Sequence, residues 1–227
     1  ARSVGCMSTS PAGSARVAVI GAGIVGLAAA HHLAEQGCTV TIYETGQPGF
    51  GQSAGQSRIF RHAHDDPRLV DLAIRARRQW LAWEEFYDVP LLSCAGGIAL
   101  GTSAINRLAI LEQHPELRAR PVTPDELAHL LPALAPYDGE AVHDPDGGSI
   151  FTRAAISAIA GRFAENIVTE QVISLREVPT GVEIRCPTTM NTHDAVVVCA
   201  GRGTAPLMRG LGVDIPVTLG AHVRVSF

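Results

Sequence analysis

Residues 16–44 read RVAVIGAGIVGLAAAHHLAEQGCTVTIYE, and their order decides the fold. Val17 to Ile20 is a short apolar run, the pattern of a strand buried in a parallel sheet. Gly21, Gly23 and Gly26 follow in G-x-G-x-x-G spacing. Gly21 permits a sharp turn out of the strand, Gly23 lets backbone approach a pyrophosphate, and Gly26 lets the next helix sit close to the sheet. The amides that open this helix point at phosphate, and the positive end of its dipole favours that charge. Ala28, Ala29 and Ala30 are strong helix formers, and Gly37 stands where a C-terminal cap belongs. Cys38 to Tyr43 alternates as a second strand that runs into Glu44. That carboxylate is positioned to accept two ribose hydroxyls and to repel a ribose 2′-phosphate. The segment predicts an α/β, Rossmann-type site for FAD or NAD rather than NADP. Ala22, Ile24 and Val25 within the turn, and Tyr43 and Thr45 beside the acid, belong to that site.

The chain has 227 residues, of which 46% are hydrophobic, enough for a globular protein of one or two domains. Its formal net charge of −4 argues against a nucleic-acid partner. No apolar run reaches the length needed to span a membrane, so no membrane partner is expected. The five Cys are odd in number and show no C-x-x-C pair, which points to a reducing, cytoplasmic setting. Cys38 and Cys199 read as small buried thiols in strands. Residues 1–15 are a disordered or tag-like N-terminus without a signal-peptide core, and Met7 reads as the natural start.

Thr45 to Ser57 (TGQPGFGQSAGQS) reads as a loop running along the cofactor. Asp66-Pro67 opens a helix whose apolar stripe is Leu69, Leu72, Ala73, Ala76, Trp80 and Trp83, with Asp71 and Arg75 as an i,i+4 pair. Both Trp residues are assigned to the core. Strand-like pieces surround Gly96-Gly97. Thr123 to Glu126 is a capping box for a short helix ending near Leu131-Pro132. Residues 136–149 are rich in turn formers. Thr152 is expected to cap a helix carrying Ile156, Ile159, Ala160 and Phe163. Strands are expected at 167–177 and 182–186 with a hairpin turn at Gly181, a buried one over 193–200, and another over 216–227. His62, His64, Asp65 and Asp66 match no standard zinc spacing, His31 and His32 are read as structural, and no metal is expected.

Three segments resemble the FAD-dependent amine and amino-acid oxidases of the D-amino-acid oxidase superfamily, most of all its monomeric sarcosine oxidase branch. They are the glycine unit above, the run Ser53-Ala54-Gly55-Gln56-Ser57-Arg58-Ile59-Phe60-Arg61-His62, and DAVVVCAGRGTAPLMRGLGVDIPV over 194–217. The second is the most specific, because plain NAD dehydrogenases lack it. The resemblance implies a flavoprotein in which Gly21, Gly23, Gly26 and Glu44 hold the ADP half of FAD. Gln52, Ser53, Gly55, Gln56 and Ser57 would run past the pyrophosphate toward the isoalloxazine ring. Arg58 would lie near the ring and stabilise its reduced anionic form, and Arg61 would pair with a substrate carboxylate. Val172, Ala200, Gly201 and Gly203 would line the cofactor. A guanidinium suits the carboxylate role because it grips in bidentate fashion and stays charged.

The implied plan is a discontinuous FAD-binding domain over 16–88 and 148–215, with an incomplete α+β substrate domain over 89–147 and 216–227. The implied reaction is oxidation of the C–N bond of an amine or amino acid. Hydride passes to flavin N5, the imine is hydrolysed, and O2 reoxidises the flavin to H2O2. The resemblance covers about the first three-fifths of a typical member, which implies a further C-terminal segment or a second polypeptide partner. Other readings of the same residues are a flavin dehydrogenase or desaturase using another acceptor, an NAD dehydrogenase, and a non-catalytic nucleotide-binding subunit or fragment.

Overall fold

The computed structural model describes residues 14–93, 95–218 and 220. Cys6, Met7, Cys94 and most of the strand expected over 216–227 lie outside the described residues. The chain divides into two compact units, one formed by 1–52 with 159–227 and the other by 53–158. The first unit opens with β1 (Arg16–Ile20), α1 (Ile24–Glu35) and β2 (Thr39–Glu44). The second holds β3 (Ser57–Phe60), α2 (Pro67–Tyr87), β4 (Gly97–Leu100), α3 (Ser103–Leu111), β5 (Arg120–Pro121), α4 (Pro124–Leu130), β6 (Ala141–Asp144) and β7 (Gly148–Phe151). Helix α5 (Thr152–Arg162) leads back to the first unit, which continues with β8 (Ile167–Thr169), β9 (Ser174–Val178), β10 (Gly181–Arg185), β11 (Met190–His193), β12 (Ala195–Val198) and α6 (Thr204–Arg209).

In the first unit a four-stranded parallel sheet has the order β12-β1-β2-β8. Strand β1 is central, which is why Val17, Ala18, Val19 and Ile20 are all buried. Helix α1 ends as expected at Gly37, whose φ is +83°. The amide of Gly37 donates to Ala34 O and that of Cys38 to Leu33 O, the paired bonds of a Schellman motif. The antiparallel sheet β11-β10-β9 packs Leu175, Ile184 and Cys186 into one core with Ala18, Ile20, Tyr43 and Val172.

Several expectations change here. The run expected as one strand over 167–177 is two, β8 and β9, in different sheets. The buried strand expected over 193–200 is shorter, spans 195–198, and is half-buried because it lies at the edge of the parallel sheet. Cys38 and Cys199 therefore fall just outside strands, and both are only partly buried. Residues 216–218 and 220 form no regular element.

In the second unit α2, α3 and β6 enclose a core of Val70, Ile74, Ala104, Leu108, Leu111 and Val142. The α2 stripe is rotated from the expected one. Leu69 and Leu72 are 44% and 52% exposed, while Val70 and Ile74 are buried beside Ala73, Trp80 and Trp83. The two Trp rings meet edge to face with centroids 5.4 Å apart, in the core as expected. Asp66 caps α2, its carboxylate accepting from Arg68 N at 2.9 Å. Thr123 caps α4 through Glu126 N, but the Glu126 carboxylate pairs with Arg120 instead of reaching back to close the box. The Thr152 hydroxyl does not cap α5; it donates to Gly55 O at 2.8 Å. Helix α3 went unread although Thr102 and Ser103 are cap-type residues; Thr102 stands at the N-cap but makes no side-chain cap hydrogen bond.

Among the described residues no helix is long and apolar enough to cross a membrane.

Candidate functional site

The glycine turn is held by backbone, not by side chains. Gly21 has φ +101°, a conformation that a residue with Cβ adopts only under strain. A Cβ there would stand 2.4 Å from Cys199 O, so the end of β12 crosses directly against the turn. At Gly26 a Cβ would stand 1.9 Å from Gly21 O. These two distances are the physical content of the motif: a side chain at Gly26 would push the helix off the turn, and one at Gly21 would push the turn off the end of β12. Helix α1 begins at Gly23 with no side-chain cap.

Glu44 does more than the sequence suggested. Its Oε2 accepts from Ala22 N at 2.8 Å, and its Oε1 accepts from Thr45 Oγ1 at 3.0 Å and Gly46 N at 3.2 Å. The acid at the end of β2 thus fastens the glycine turn to the next loop. Ala22 is fully buried, and its carbonyl takes the Gly49 amide at 2.9 Å. A carboxylate offers about four acceptor positions, so capacity for a further donor remains.

Beneath the turn the Tyr43 hydroxyl lies 3.1 Å from His193 Nε2. Burial pushes the Tyr43 hydroxyl up and the His193 ring down, so both stay neutral at physiological pH. Sequence reasoning missed this pair, because the residues are distant in the chain. Val172 is 7% exposed and packs in the same core. Ala200 borders the crossing at Gly21, and Gly201 lies against the side-chain oxygen of Gln52, 3.1 Å from where its Cβ would be. Gly203 closes the short turn 201–203 with its amide on Ala200 O. The first unit thus gathers Gly21, Gly26, Glu44 and Ala200 around one turn, with Gly201 held against Gln52.

The second unit carries the other expected residues. Gly55, at φ +123°, is so close to Arg58 that a Cβ would meet Nη1 at 2.6 Å. Arg58 donates to Ser57 O at 2.8 Å and to Ala54 O, folding its guanidinium over the loop it follows. Arg61 lies just beyond β3, is exposed, and its guanidinium has no hydrogen bond or ion pair among the described residues. His62 is fully buried against Asp144. His64, Asp65 and Asp66 form the entry to α2, with Asp65 bound to Arg107 at 2.8 and 3.0 Å.

His31, His32 and Glu35 present ligand atoms within 4.8 Å of one another. The His31 ring, however, has Arg162 Nη1 at 2.8 Å from Nδ1 and Glu35 Oε1 at 3.2 Å from Nε2. A guanidinium can only donate, so Nδ1 accepts and the ring proton sits on Nε2, facing Glu35. Neither nitrogen keeps a lone pair for an ion, and the cluster ties α1 to Arg162.

A family model described as FAD dependent oxidoreductase matches residues 16–226. The chain belongs to this family. A monomeric sarcosine oxidase from Bacillus sp. is 26% identical over 214 residues, which covers 88% of this chain and 55% of that protein. One from Streptomyces avermitilis is 29% identical over 228 residues, covering 93% and 57%. The glycine oxidase structure from Geobacillus kaustophilus matches with a TM-score of 0.77 at 22% identity, covering 88% of this chain and 60% of that one. This last is a likeness of fold. The chain spans about half the length of the curated relatives it matches.

The Rossmann-type α/β fold and the sarcosine oxidase likeness expected from the motifs are thus borne out, and the family's cofactor is FAD. The residues of the first unit fit the ADP half of that group. An uncapped helix start, two glycines that cannot carry Cβ, and a partly buried acid at the end of β2 are what a dinucleotide requires.

Proposed function

We propose that this chain is the cofactor-binding part of an oxidase acting on the C–N bond of an amino acid or other carboxylate-bearing amine. The observation that carries the reading is Arg61, an exposed guanidinium with no ion pair among the described residues, three positions beyond Arg58 at the end of a glycine-rich loop. An unpaired guanidinium is suited to bidentate capture of a carboxylate. The likeness to sarcosine oxidases supports a small amino-acid substrate.

In this reading Gly21, Ala22, Gly23, Ile24, Val25 and Gly26 offer backbone to the pyrophosphate. Tyr43, Glu44 and Thr45 border the ribose, and Val172 borders the adenine. Gln52, Ser53, Gly55, Gln56 and Ser57 follow the cofactor outward, and Ala200, Gly201 and Gly203 border it. Arg58 supplies positive charge where negative charge develops. Arg61 binds and orients the substrate carboxylate. When bound, FAD supplies the two-electron acceptor for the substrate hydride and returns the electrons to O2 as H2O2.

The test is to mix the FAD-loaded protein with sarcosine or glycine without oxygen, follow bleaching of the flavin, then admit oxygen and measure peroxide. Bleaching should accelerate as pH rises, because hydride leaves only from the neutral amine. Bleaching without peroxide would assign the protein to dehydrogenases. Flavin that no amine bleaches would overturn the reading in favour of a non-catalytic nucleotide-binding role.

A further inference from the structure

The segment that bears Arg61 is anchored residue by residue. Asp144, at the end of β6, is 3% exposed. Its Oδ2 accepts the backbone amide of His62 at 2.8 Å. The His62 ring, fully buried, points Nδ1 at both Asp144 oxygens, at 3.1 and 3.2 Å. Its Nε2 is buried with no partner, so all the hydrogen bonding of this ring is directed at Asp144. The His64 amide returns to His62 O at 2.8 Å, and Asp65 is fixed by Arg107. The peptide group between Arg61 and His62 is therefore held at its amide by the Asp144 carboxylate, which the His62 ring meets a second time.

Asp144 is itself rigidly set. Two residues on, Asp146 is paired with Arg77 at 3.3 Å and Arg118 at 2.9 Å, and the Gly147 amide closes the turn onto Asp144 O at 3.1 Å. The turn that follows Asp144 is thus tied to α2 through Arg77 and to Arg118, which makes Asp144 a stiff support. A guanidinium on a four-bond side chain reaches a defined point only if its backbone is fixed.

We propose that Asp144, acting through His62, is a positioning residue that aims Arg61 at the substrate carboxylate. This rests on the role assigned to Arg61 above. A rigid peptide at 61–62 lowers the ordering cost of carboxylate capture, so its effect falls on binding.

The test uses the FAD-loaded protein and acetate as the probe, with affinity read from the change in flavin absorbance on titration. Melting temperature and flavin content are measured on every variant. Asp144→Ala should raise the acetate Kd by about tenfold or more. Asp144→Asn keeps an oxygen facing the His62 amide and should raise it by less than about threefold. This rescue separates aiming from general loss of structure. Unchanged acetate affinity in a folded, flavin-replete Asp144→Ala protein overturns the inference, as does equal weakening in Asp144→Asn. Should Asp144→Ala not fold, His62→Phe decides, because it removes the ring's hydrogen bonds to Asp144 and leaves the amide bond in place. It weakens acetate by about threefold or more, or the inference fails. Arg61→Met is measured alongside. If it leaves acetate binding unchanged, the role of Arg61 itself is wrong; if it weakens acetate while Asp144→Ala does not, only the positioning role falls.

Discussion

Three alanine substitutions, two in the glycine turn and one at the far end of α1, separate backbone strain from steric conflict. Gly37 has φ +83° and nothing within 4 Å of where a Cβ would be, so Gly37→Ala adds backbone strain alone. Gly26 carries no such φ, but its Cβ would lie 1.9 Å from Gly21 O, so Gly26→Ala adds steric conflict alone. Gly21 has both, with φ +101° and Cys199 O at 2.4 Å. A non-glycine residue in left-handed backbone costs about 1–2 kcal/mol. Forcing a methyl group into close-packed surroundings costs about 1–3 kcal/mol, and more when the neighbour is backbone that cannot turn aside. Gly37→Ala is therefore expected to cost about 1 kcal/mol and Gly26→Ala about 3 kcal/mol. Gly21→Ala should cost about 3–5 kcal/mol, a large share of the roughly 5–15 kcal/mol that holds a domain folded. Both Trp residues lie in the second unit, so urea unfolding of the FAD-free protein should be followed by far-ultraviolet circular dichroism and not by fluorescence. A Gly26→Ala cost no larger than that of Gly37→Ala would refute the claim that contact between α1 and the turn, rather than backbone conformation, fixes this glycine.

Glu44→Gln removes the charge that fastens Ala22, Thr45 and Gly46, and should weaken FAD binding by about tenfold in calorimetric titration, the cost of a charge-assisted bond. Burial, more than any neighbour, holds the His31 pKa below 6.5, so the unfolded chain takes up this proton at a higher pH than the folded one. The stability tied to neutral His31 is complete above 6.5 and is lost as pH falls through the lower folded value. The melting temperature should drop on going from about pH 8 to about pH 5.5, and His31→Gln should flatten that drop. Asp146→Ala removes the partner that Arg77 and the exposed Arg118 share and should lower the midpoint of urea unfolding measurably, with Arg118→Ala lowering it less.

The local pattern of residues 16–44 determined the Rossmann unit by itself, because each requirement there is short-range. A buried strand, a turn without Cβ, a helix closed by Gly37 and an acid ending the next strand all follow in one stretch. The run from Ser53 to His62 likewise carried its likeness to the oxidases in consecutive residues. Tertiary structure decided what depends on partners distant in the chain. Residues 69–74 read LVDLAI, which allows two apolar stripes, and packing against Leu108 and Leu111 of α3 selected Val70 and Ile74 over Leu69 and Leu72. The second task of Glu44, the meeting of Tyr43 with His193, and the grip of Asp144 on His62 join residues 22 to 150 positions apart. Such contacts leave no periodicity in the sequence, since a hydrogen bond constrains two side chains and not the chain between them.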